Sequence, residues 1–188
     1  GIQNEISEMR NILFTALILT GFSACMETVK PLSESEKTLV KIDSLEAVLF
    51  TDSEAKADVR QGMALVRAYA KYYQNSAKDS LAIDMLFKAG EVSMGIGQGN
   101  LAVKYFETIT MDHSAFSKAP EAMFLCGFCS ETLLADTAKA KHYYENFIET
   151  YPNHKLAEDA QFSIQNMGMS DEDLIKLFQE KKSEATSS

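Results

Sequence analysis

The chain repeats itself. Laid over itself, it comes into register at a shift of 37 and then 38 residues: Leu65, Ala102 and Ala140 align, as do Tyr69, Phe106 and Tyr144, then Tyr72, Ile109 and Phe147. The register carries on through Ala82, Ala119 and Ala157, then Asp84, Glu121 and Asp159, then Phe87, Phe124 and Phe162. Gly90 and Gly127 match as well, although Gln165 breaks that series. A repeat of this length is a supersecondary unit too small to bury its own apolar side, so copies must stack and shield one another.

The unit is helical. Ala102, Phe106 and Ile109 fall at i, i+4 and i+7 on one helix face, as do Ala140, Tyr144 and Phe147, and no stretch alternates like a strand. A small alanine facing a large ring lets two helices approach closely while the ring fills the groove between them. Gly90 and Gly127 fall in mid-helix, where glycine costs ~1 kcal/mol against alanine, a cost that makes sense where a neighbouring ring needs the space. Helices are expected over 34–50, 54–75, 81–95, 99–111, 118–134, 137–150, 155–167 and 171–182. Ser33-Glu34-Ser35-Glu36 has the form of a capping box, and Ser117 ahead of Pro120 is the expected N-cap of the fifth helix. Tyr151-Pro152-Asn153 ends one helix, and Ser170-Asp171-Glu172-Asp173 opens the last with acidic charge at its positive end. Residues 183–188 are expected to be a disordered polar tail.

The N-terminal segment has a different character. Met9-Arg10-Asn11 precedes an apolar run from Ile12 to Gly21, then Phe22-Ser23-Ala24-Cys25: a basic end, a short apolar core and a small-residue site, as in a secretory signal. Residues 1–8 carry two glutamates and are expected to lie upstream of the true start at Met9. Phe22 to Cys25 resembles the lipobox of bacterial lipoproteins, which implies cleavage after residue 24 and a lipid on Cys25 as the mature N-terminus. Residues 25–33 then form a short tether, and Met26, rather than Asp, after the cysteine implies the outer membrane by resemblance to enterobacterial sorting. The periplasmic face is expected rather than the cell surface.

Gly90, Ala102 and Phe106, and then Gly127, Ala140, Tyr144 and Pro152, resemble the small, small, aromatic and proline positions of tetratricopeptide repeats. The likeness spans about Leu65 to Lys182, and the run from Phe147 to Ala160 is similar to tetratricopeptide lipoproteins of the bacterial envelope, of the kind found in Bacteroidota. A more distant resemblance is to the lipoproteins of outer-membrane protein assembly. The likeness implies an all-α right-handed solenoid of helical hairpins over 34–182, seven to eight helices after a cleaved leader, with the first helix of each pair lining a concave face. In that register Asp84, Glu121 and Asp159, with Phe87, Phe124 and Phe162, take positions that face the groove in peptide-binding members, followed by Glu91 and Phe128, and then Glu131. The implied partner is a protein or peptide with apolar anchors and basic flanks, and the implied role is a non-enzymatic scaffold at the outer membrane, in envelope or outer-membrane protein assembly. The alternative for the same residues is that the phenylalanines pack between hairpins while the acids cap helix N-termini.

Other chemistry finds little purchase. A net charge of −9 argues against nucleic acid as a partner. Cys126-Gly-Phe-Cys129 has the spacing of a thiol-redox motif but lies inside an expected helix rather than at its N-terminus, so structural thiols are the expectation and redox or thiol sensing the alternative. Gly95-Ile-Gly-Gln-Gly99 follows a helix and lacks the Lys-Ser/Thr of a phosphate loop, which marks it as a turn. His113, His142 and His154 have no zinc spacing, so neither metal nor cofactor is expected beyond the covalent lipid. A nutrient-binding surface lipoprotein is a further alternative, although the chain has no Trp and little room for sugar-binding insertions.

Overall fold

The structure, a computed structural model, describes residues 31–50, 58–76 and 79–186. Contacts divide the chain into Gly1–Leu32 and Ser33–Ser188. All of the first unit except Pro31 and Leu32, and with it the leader, Cys25 and nearly all of the tether, lies outside the described residues.

From Ser33 onward the described chain is helical, with no strand among the described residues: α1 Glu34–Phe50, α2 Val59–Ser76, α3 Ser80–Gly95, α4 Gly99–Asp112, α5 Ala119–Thr132, α6 Thr137–Thr150, α7 Ala157–Asn166 and α8 Asp171–Thr186. Each helix from α1 to α6 packs against the one that follows it in the chain. The core accordingly runs in series. Ile42, Leu65, Tyr69 and Met85 form one cluster, Leu86, Phe106, Ile109 and Cys126 the next, and Ala140, Tyr144, Phe147 and Ala160 the last.

The repeat is the core. Leu65, Ala102 and Ala140 are buried, as are Tyr69, Phe106 and Tyr144, and Tyr72, Ile109 and Phe147. The mid-helix glycines stand where rings press on them. A Cβ on Gly90 would lie 2.5 Å from Cε1 of Phe106, and one on Gly127 would lie 2.7 Å from Cε1 of Tyr144. The same interlock therefore recurs between α3 and α4 and between α5 and α6, and it needs glycine in both copies.

Capping follows local chemistry. Ser33 and Glu36 close their box: the Ser33 backbone N–H donates to Glu36 Oε2 at 2.7 Å and the Glu36 N–H to Ser33 Oγ at 3.2 Å. Asp79 caps α3, Asp136 caps α6, and Ser170 accepts from the Asp173 N–H ahead of α8. Two expectations are corrected. Helix α5 starts after Lys118 rather than at Ser117, because successive turns (Phe116 N–H to His113 O, then Ala119 N–H to Phe116 O) lead the chain into the helix without a side-chain cap. Helix α8 runs to Thr186, past Lys182, because Lys, Ser, Glu and Ala include no Gly or Pro to stop it. The expected start of the second helix at residue 54 lies outside the described residues; Asp58 directly precedes the described helix and accepts from the Arg60 N–H.

Candidate functional site

The residues expected to line a groove sit on α3, α5 and α7, and the structure divides them by role. Asp84 is half-buried on α3, and its carboxylate meets Lys118 Nζ at 2.7 Å. The same ammonium lies 4.9 Å from the centre of the Phe87 ring. Phe87 itself is 5% exposed, edge-on to Phe106 at 5.4 Å and near Phe116 at 6.4 Å. Its ring is spent between helices and cannot be a first contact for a ligand.

One repeat further on the arrangement returns. Glu121 Oε1 lies 3.5 Å from His154 Nε2 and 3.7 Å from Lys155 Nζ, while its Oε2 is buried without a hydrogen-bond partner. Phe124 is partly buried between Tyr144 at 5.4 Å and Phe147 at 5.7 Å. The third copy is looser: Asp159 is exposed, and Phe162 packs on Phe178 at 5.8 Å. Each acid of the first two copies thus reaches the lead-in of the helix two places on, α3 to α5 and α5 to α7. Lys118 and Lys155 are 37 residues apart where the repeat steps by 38, so Lys118 aligns with Leu156 and the register alone does not disclose the second base.

What remains open to solvent is Glu91 on α3, Phe128 on α5 and Asp159 on α7, with half-buried Glu131 three residues on from Phe128. Burial raises the Glu91 carboxyl above its ordinary range; Lys118 opposes the rise, Asp84 adds to it and Lys88 opposes it. Glu131 accepts from the Tyr144 hydroxyl at 3.0 Å, as Glu46 accepts from Tyr69 at 2.5 Å two hairpins earlier. Glu46 also holds Lys88 at 3.1 Å. Burial would raise the Glu46 carboxyl, but the Tyr69 hydroxyl and Lys88 together hold it below the ordinary range. These residues offer charged and aromatic contacts on a packed helical backing.

The thiols stand elsewhere. Cys126 and Cys129 are free and fully buried, and Cys126 Sγ lies 3.9 Å from the Val103 carbonyl. Burial pushes the Cys126 thiol far up, Glu107 and Cys129 adding to it against Lys139, and burial pushes Cys129 up to about 11. Reactive thiols need the reverse. Iodoacetamide at neutral pH is expected to leave both unmodified in the folded protein and to label both in denaturant; rapid labelling of the native chain would overturn the packing role. Among the described residues no group of three or more His, Cys, Asp or Glu is gathered to hold a metal, and no helix is long and apolar enough to cross a membrane.

No family model matches the chain, and no curated protein matches it.

Proposed function

We propose that the chain is a lipid-anchored, non-enzymatic scaffold of tetratricopeptide-like hairpins (α1–α2, α3–α4, α5–α6 and α7–α8), stacked as a right-handed solenoid in the bacterial envelope. The observation that carries this reading is the recurrence of one set of contacts at the sequence period: a ring seated on a mid-helix glycine within a hairpin, and an acid tied to a base at the start of the next. Neighbouring modules joined by the same contacts at each step are what a serial stack requires. The first helices of the pairs present Glu91, Phe128 and Glu131 to a protein partner, while Asp84, Phe87, Glu121 and Phe124 hold that face in shape. Lipid on Cys25 keeps the platform at the outer membrane, on its periplasmic side.

The test has two arms. The parent chain is expected in the membrane fraction and Cys25→Ser in the soluble fraction, and unchanged fractionation would refute lipidation. A photo-crosslinker in place of Phe128 is expected to give a discrete adduct in cells, whereas the same group at Met111, which is 79% exposed on α4, should give none. Equal crosslinking from both positions would sink the assignment of the binding face.

A further inference from the structure

A basic patch in this acidic chain lies on the first hairpin, between α1 and α2. Helix α2 contains three basic residues, Arg60, Arg67 and Lys71, and no acidic one, in a chain of net charge −9. Its Arg60, Ala64, Arg67 and Lys71 fall at i, i+4, i+7 and i+11, a single stripe. Across from it α1 supplies Lys37 and Lys41, and the two helices enclose a cleft of about 350 Å³ floored by the buried Thr38 and Ala68. Glu34 is the acid in this cleft, and it is shared: Lys37 Nζ lies 2.8 Å and Lys71 Nζ 3.8 Å from its carboxylate. Among the described residues no carboxylate is within ion-pair distance of Lys41 or Arg67, and both side chains are exposed. Four cations against one carboxylate leave the cleft at about three positive charges.

Beside these cations α1 exposes Val40 at 56% and Val48 at 59%. At 3.6 residues per turn Val40, Ser44, Lys37, Val48 and Lys41 share an arc of about 100°. Basic and apolar side chains interleaved on one exposed arc match a surface that is anionic outside and apolar beneath. Chain length puts such a surface within reach: Cys25 stands nine residues before Glu34, a span of at most ~30 Å.

We propose that the Lys37–Lys41–Arg67–Lys71 cleft, with Val40 and Val48, is a docking surface for an anionic phospholipid bilayer. For its setting the proposal rests on the anchored reading given above. The acyl chains supply attachment, while the cleft supplies orientation, turning the first hairpin toward the headgroups.

The experiment uses the full chain carrying Cys25→Ser, with and without Lys41→Gln and Arg67→Gln, which break no ion pair among the described residues. Flotation is measured on vesicles of phosphatidylcholine alone and of phosphatidylcholine mixed with phosphatidylglycerol. The readout is the ratio of the two partition coefficients, because whatever the two proteins share outside the substituted residues cancels. Each basic residue near an anionic surface is worth about fivefold, so the double variant is expected to lose roughly 25-fold of that ratio at low salt. Raising the salt should collapse the parent's ratio toward the variant's. An equal ratio for the two proteins overturns the proposal. So does saturable binding of inorganic phosphate, or of a poly-glutamate peptide, at Lys41 and Arg67 in a protein with no preference for anionic vesicles; these outcomes would assign the cleft to a small anion or to an acidic protein. Failure of the ratio leaves lipidation of Cys25 standing, and failure of fractionation leaves the ratio standing, so the two are separable.

Discussion

Phe106→Ala is expected to cost about 3–5 kcal/mol, a large part of the ~5–15 kcal/mol that keeps a domain folded. The ring is fully buried, edge-on to Phe87 and seated on the backbone of Gly90. Removing it strips contacts from α3 and α4 at once and leaves a void that the close-packed helices can close only in part. Urea unfolding followed by helical circular dichroism reads the loss as a lower midpoint at similar slope. The comparison that gives the number meaning is Phe128→Ala. That ring is 39% exposed on α5, and its removal is expected to change stability by about 0.5 kcal/mol or less. If both substitutions cost the same, the division of the aromatic residues into packing and contact groups is wrong.

That division shows where sequence reasoning reached its end. The period of 37 and 38 residues was legible because each repeat must bury equivalent residues, and Tyr69, Phe106 and Tyr144 duly occupy equivalent places in the core. The start of α1 was legible in the Ser33–Glu36 box and that of α8 at Ser170, whereas Ser117 ahead of Pro120 misplaced the start of α5. Phe87 was not assignable, because helical register fixes a side of α3 but not what a later segment lays over it. Phe116, in the turn after α4, and Lys118 both close on that ring. Asp84 and Glu121 were ambiguous for the same reason, each being approached by a base more than thirty residues away. The basic cleft was invisible for a different one. Lys37 and Lys41, or Arg67 and Lys71, look like ordinary solvated helix faces until the α1–α2 pairing sets them side by side.

Alanine at Gly90 and Gly127 is expected to destabilise the fold, against the direction that helix propensity alone would give. Alanine should gain ~1 kcal/mol in mid-helix, chiefly by restricting the unfolded chain. Against this, the new methyl would sit 2.5 Å from the Phe106 ring in one case and 2.7 Å from the Tyr144 ring in the other. Both rings are fully buried and braced from beyond, Phe106 by Phe87 and Tyr144 by Phe124, so neither can swing aside without opening the next contact. Overpacking of that kind costs typically 1–3 kcal/mol and occasionally more, and here the backbone approach of two helices is at stake as well as a rotamer. A net loss of about 1–2 kcal/mol at each site is expected, and about twice that in the double variant, because the two rings belong to different clusters and should add. Gly95 supplies the control, since it ends α3 with nothing within 4 Å of a built Cβ, and Gly95→Ala should be neutral or mildly stabilising. Pairing Gly90→Ala with Phe106→Leu should recover part of the loss, because the shorter side chain makes room for the methyl. Strict additivity in that pair would mean the ring and the glycine do not meet, and with them would go the interlock on which the repeating stack is built.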